Sequence, residues 1–164
     1  MSILQKEAIR GAAGQSSLTE VASVKLLLDT DQGAAVELSV NPETGATAML
    51  RRATDDNLSY ATELWVTTES GVTGDVVACA KLGTLDARVE GVNSADSDTA
   101  IAVGDLLTFK AIAAINNLYY DAAQSCLCKA VTGDVVAAVA LEAVSSGAAP
   151  GLAKVRLVPQ ITKV

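Results

Sequence analysis

Val72-Thr-Gly-Asp-Val-Val-Ala78 recurs letter for letter as Val131-Thr-Gly-Asp-Val-Val-Ala137, and Val103-Gly-Asp-Leu-Leu107 is a looser third copy. In each, Gly-Asp reads as a tight turn that launches a buried strand. Glycine supplies the permissive backbone, and the aspartate side chain can bond to the next amides. A chain punctuated in this way is a β protein. The identical copies start 59 residues apart. That step is too long, and repeated too seldom, for a solenoid. It points instead to a twofold-similar β layout in which the aspartates form turns rather than a functional set.

Working outward, the same grammar continues on both sides. Val36-Glu-Leu-Ser-Val40 alternates apolar with polar, Asn41-Pro-Glu-Thr-Gly45 is a turn, and residues 46–50 return as a strand: a hairpin signal. Residues 60–68 (YATELWVTT) are rich in strand formers. Residues 135–141 (VVAAVAL) read as a fully buried strand. In residues 154–158 (KVRLV), Lys154 and Arg156 fall on one face, Val155 and Leu157 on the other. Residues 111–120 read as strand, turn, strand, with a short helix over 111–115 as the alternative. Ser17-Leu-Thr-Glu20 matches a capping box, and Leu18, Val21, Val24, Lys25 and Leu28 follow at roughly helical spacing. That predicts a helix over 18–28, although Lys25 on the stripe and the β-branched content keep a strand open. Residues 1–17 look like an arm, rich in Gly, Ala and Ser with apolar anchors at Ile3, Leu4 and Ile9. The fold class is therefore mainly β: a compact β-barrel or β-sandwich domain with an extended N-terminal arm and room for one short helix. The domain division is 1–17 arm, 18–59 helix and hairpin extension, 60–164 barrel.

Composition bounds the chemistry. The 164 residues are 50% apolar but only 3% aromatic, with 29 alanines and 19 valines, so the core is built of small side chains. Disordered chains lack this apolar content. The longest apolar run, 135–141, is closed by Glu142 and is far short of a membrane span. Lys6, Glu7 and Arg10 interrupt the start, so no secretory leader is expected. The net charge of −7 offers no basic cluster for phosphates. The acidic excess is central: residues 29–100 hold four basic and thirteen acidic side chains, while both ends are near neutral. This reads first as a solvated, solubilising face; the sharper alternative is that the ends make contacts and the middle faces water.

Histidine is absent, which removes the commonest general base and metal ligand near neutral pH. Ser-His-Asp and Cys-His catalysis cannot be assembled from this chain. Cys79, Cys126 and Cys128 are an odd set, one ligand short of a four-coordinate zinc site, and read as small buried hydrophobes. Asp29-Thr-Asp31-Gln-Gly33 and Asp96-Ser-Asp98 resemble calcium-loop fragments, but Val40 stands where the loop's closing glutamate belongs. Asn57-Leu-Ser59 is a glycosylation sequon without secretory context. No phosphate loop, nucleophile elbow or metal motif occurs. No catalytic, cofactor or metal residue is expected, and the chain is expected not to be an enzyme.

From Ala100 onward (AIAVGDLLTFK, then CLCKAVTGDVVAAVALEAVSSGAAPGLAKVRLV) the chain resembles the tailed-phage capsid decoration proteins, also called cement or head-stabilising proteins. The resemblance rests on the turn at Gly104-Asp105, the strand Val139-Ala-Leu-Glu142, the small-residue loop 145–151 and the final alternating strand 155–158, and it extends over residues 60–158. It implies a β domain on the outside of an icosahedral shell, bracing major capsid subunits as a homotrimer or dimer, without direct nucleic acid or membrane contact. It implies assembly in the host cytoplasm. The candidate capsid contacts are Ile3, Leu4, Lys6, Ile9 and Arg10: the apolar anchors would be buried and the two cations would meet shell carboxylates. Ordering such an arm costs about 1–2 kcal/mol per residue, against roughly 1.5–3 kcal/mol for each anchor buried. Arms joined through one oligomer gain further from effective concentration. The alternatives are a tail or neck component of the same virion, and a small carbohydrate-binding module using Trp65, Tyr119 and Tyr120. A core role for Trp65 is the more common case.

Overall fold

The computed structural model describes residues 20–26, 29–41, 45–49, 64–110, 125–158 and 164. All described elements are strands: β1 Glu20–Leu26, β2 Ala35–Asn41, β3 Gly45–Met49, β4 Leu64–Thr67, β5 Val76–Asn93, β6 Leu106–Phe109, β7 Leu127–Lys129, β8 Ala138–Ala140 and β9 Gly151–Leu157. The helical spacing over 18–28 is thus overridden. β1 pairs with β5 from Glu20↔Leu82 to Lys25↔Val76, which leaves Val24 and Leu26 buried and Lys25 exposed. Alternate burial is the period of a strand, and the β-branched residues carried the true signal. The hairpin of β2 and β3 forms as read, in register Asn41↔Gly45. The alternative helix over 111–115 lies outside the described residues.

The strands close into two rings. The first runs β1-β3-β2-β4-β5 and returns to β1; the second runs β5-β7-β6-β8-β9 and returns to β5. Direction flips at every antiparallel junction, and a closed circuit needs an even number of flips. Five junctions therefore require a parallel pair. The first ring has β1 with β3, the second β5 with β7.

β5 is the common member. Its 18 residues serve the first ring as far as Leu82 and pair with β9 from Gly83 onward. Gly83 has φ +113, a conformation that glycine alone adopts cheaply. The junction lies inside the stretch 60–164 that the sequence reads as one barrel.

The rings account for the composition. Barrel diameter grows with strand number, so five strands leave a narrow interior that small side chains fill. Val24, Leu26, Ala34, Val36, Trp65, Val77 and Cys79 form one core cluster. A larger one is built on Leu85, Val89, Ile101, Leu107, Phe109, Leu127 and Val155, with Ala87, Ala137, Ala138, Ala140 and Ala153 between them. Ala35, Val66 and Ala80 belong to the larger cluster although they sit on first-ring strands. The apolar interior is thus continuous across the junction.

Candidate functional surface

The three Gly-Asp units are the same turn made three times. Gly74, Gly104 and Gly133 have φ of +95, +94 and +102, which the third position of a type II turn requires. The aspartate N–H donates to the carbonyl three residues back, Val72, Ala102 or Val131. Its carboxylate reaches back as well: Val72 N donates to Asp75 Oδ2 at 3.0 Å, Ala102 N to Asp105 Oδ2 at 2.8 Å and Val131 N to Asp134 Oδ2 at 2.7 Å. The side chains thus bond to a preceding amide, not to the following ones as the sequence reading supposed.

Each turn also docks the end of another segment by two main-chain bonds. Gly74 N donates to Leu26 O and Leu26 N to Asp75 O; Gly104 pairs with Ala140 and Asp105 in the same way, and Gly133 with Val164 and Asp134. Leu26 ends β1 and Ala140 ends β8. The repeated motif is therefore a strand-docking turn.

Charge on the described surface is mostly committed to holding turns. The Lys129 hydrogen bond to Asp105, 2.7 Å, joined by the Ala102 amide, holds the Asp105 carboxyl below its ordinary value. The Thr73 amide, then its hydroxyl, do the same for Asp29. Near the start of residues 111–124, Lys110 lies 2.6 Å from Glu90 and 3.2 Å from Asp96. Burial pulls its ammonium pKa down, but hydrogen bonds to Glu90 and Asp96 outweigh it and the net shift is upward. Cys126 Sγ donates to Glu90 at 3.6 Å.

The three thiols are buried, as the sequence reading holds. Burial first, then the Glu69 charge, pushes Cys79 up to about 12. Burial, with Asp134 next, does the same for Cys128, to about 12. Burial and the Glu90 charge also raise Cys126. Protonated, enclosed thiols are poor nucleophiles and poor metal ligands.

The expected contact residues Ile3, Leu4, Lys6, Ile9 and Arg10 lie outside the described residues, as do Tyr119 and Tyr120. Trp65 is 5% exposed, so it cannot serve as a sugar platform. Asp29, Asp31 and Asp75 rim an open depression of about 350 Å³. They are engaged there by Thr73, Arg88 and the Val72 amide. No group of three potential metal ligands occurs among the described residues.

What the surface does offer is exposed aliphatic side chains. Val72 and Val76 flank the first turn, and Val103, Leu106 and Leu141 cluster about the second. Each described strand has a neighbour on both sides, so the described rings present little free edge for β-augmentation. A partner must be met by side chains or by chain outside the rings.

These features define a class: a β protein whose described residues form two closed five-stranded rings threaded on one long strand. A scan against protein-family models matched none. No curated protein matches the sequence. Among solved structures, the crystal structure of head fiber gp8.5 N base in bacteriophage phi29 is similar in fold, with a TM-score of 0.53 at 13% identity, over 88% of this chain and 97% of that one.

Proposed function

We propose that this chain is a structural protein of a tailed-phage head, bound to the outer surface of an icosahedral capsid, where it bridges major capsid subunits and converts no substrate. The observation that carries the reading is the fold shared, over nearly the whole length of both chains, with a protein described as a head fiber base. It agrees with the resemblance to capsid decoration proteins found in residues 60–158. Three physical features support it. Closed rings without free edges suit a molecule displayed at high density, because they do not pair with one another. The central acidic excess disfavours attraction to nucleic acid. The three carboxylates that share a depression, Asp29, Asp31 and Asp75, are each held there by a hydrogen bond or an ion pair.

Attachment through residues 1–17 follows from the same reading. The described strands have neighbours on both sides, and main-chain pairing with a shell strand is assigned to the arm. Ile3, Leu4 and Ile9 supply apolar anchors and Lys6 and Arg10 the cations. A homotrimer multiplies these contacts. Deletion of residues 2–17 tests this by co-sedimentation with empty shells. Loss of shell occupancy by a still folded protein is expected. Undiminished occupancy removes the arm from the mechanism, and binding to tail tubes in place of shells assigns the protein to the tail.

A further inference from the structure

We infer that residues 29–35 are a clasp that fixes the two rings at one angle, so that the molecule is a rigid strut and not two barrels hinged at Gly83. Among the described residues the chain passes from one ring to the other along β5, and β5 carries a positive-φ glycine at the crossing. On covalent grounds alone that is a hinge.

The clasp spans it. Its bonds alternate between the two sides. Thr30 and Gly71 exchange both main-chain bonds, at 2.8 and 2.9 Å, and Gln32 N donates to Ser70 Oγ; both anchor the clasp to the first ring. Gly33 N then donates to Thr67 O, while its carbonyl accepts Arg88 N from the second-ring half of β5 at 2.7 Å. The Asp31 carboxylate meets the Arg88 guanidinium at 2.8 Å. Finally Ala35 N donates to Ser125 O, and Ser125 Oγ donates back to Ala35 O.

Thr67 keys the inner turn. Its hydroxyl, fully buried, accepts Ala34 N and donates to Asp31 O. The fit requires glycine at 33. That residue has φ +76, and a Cβ there would stand 2.6 Å from Leu152 Cδ2 and 2.9 Å from Arg88 N. The clasp therefore lies flat against β5 and β9, leaving no slack across the joint. The inference does not depend on what the molecule attaches to. If the head reading holds, the clasp presents the exposed aliphatics of the two rings at a constant separation.

The test uses spin labels at Val76→Cys and Val103→Cys, one in each ring, both exposed. The native thiols are buried and should stay unlabelled. Pulsed dipolar distances in the full chain should give one narrow maximum. Gly33→Ala should broaden it or add a second maximum. The milder Asp31→Asn, Ser125→Ala double variant should do so to a smaller extent, and it reads the clasp even if Gly33→Ala fails to fold. A broad distribution in the unaltered clasp, or a narrow one that survives the double variant, overturns the inference.

Discussion

Asp75, Asp105 and Asp134 hold three turns by the same side-chain bond, but their surroundings differ. Asp105 alone adds a lysine, Lys129. Its carboxyl pKa is lowered in the folded state from an unfolded value of about 3.9. A lowered carboxyl pKa means that the unfolded chain takes up the proton first as pH falls. The contribution to stability is therefore complete above the unfolded value and is lost as pH falls through the folded one. Asp105→Asn should cost about 1 kcal/mol at pH 7, since the group is partly exposed and solvent screens the pair. The variant should also show a flatter stability profile below about pH 4 than the parent. Denaturant titrations at pH 7 and pH 3 check both. An equal loss at the two pH values would contradict the assignment.

At the scale of elements, much of β5 is legible in the residues. Leu85, Ala87 and Val89 alternate with Asp86, Arg88 and Glu90, and burial follows that alternation. The sequence reading caught only its start, the strand launched by Gly74-Asp75; its 18-residue length runs through Gly83, a twist point within one strand. The β2–β3 hairpin and β9 were legible because turn residues and period two are local signals. The pairing of β1 with β3 and β5 was not, because ring closure joins residues distant in sequence, and no local pattern encodes that partner.

β5 also ends on a contact that tolerates only glycine. A Cβ on Gly91 would run into Ser145 O and lie 2.7 Å from Ala148 N, whereas one on Gly74 would meet nothing within 4 Å. Gly91→Ala forces backbone apart and should cost about 3 kcal/mol. Gly74→Ala pays only for its left-handed backbone, about 1 kcal/mol. Thermal or urea unfolding of the two variants compares them directly. Equal losses would mean that the 145–148 loop yields freely and is not seated on β5 as described.

For the whole molecule, the small-residue composition, the strand-docking turns and the double ring are one solution to one problem. Narrow barrels need small interiors, and closing them leaves no edge to aggregate. The candidate site was less legible than the fold. An adhesive role, as proposed, would leave no constellation of reactive groups to find, and the five residues that the sequence singles out lie in the stretch before β1. The exposed aliphatics Val103, Leu106 and Leu141 were invisible to sequence because they come from three places, the 102–105 turn, the start of β6 and the residue after β8. The most direct test of the whole account is an electron cryomicroscopy map of a phage particle carrying this protein. Density matching the two-ring body is expected on the outside of the capsid, touching more than one shell subunit. Density confined to the tail, or particles that never carry the chain, would contradict it.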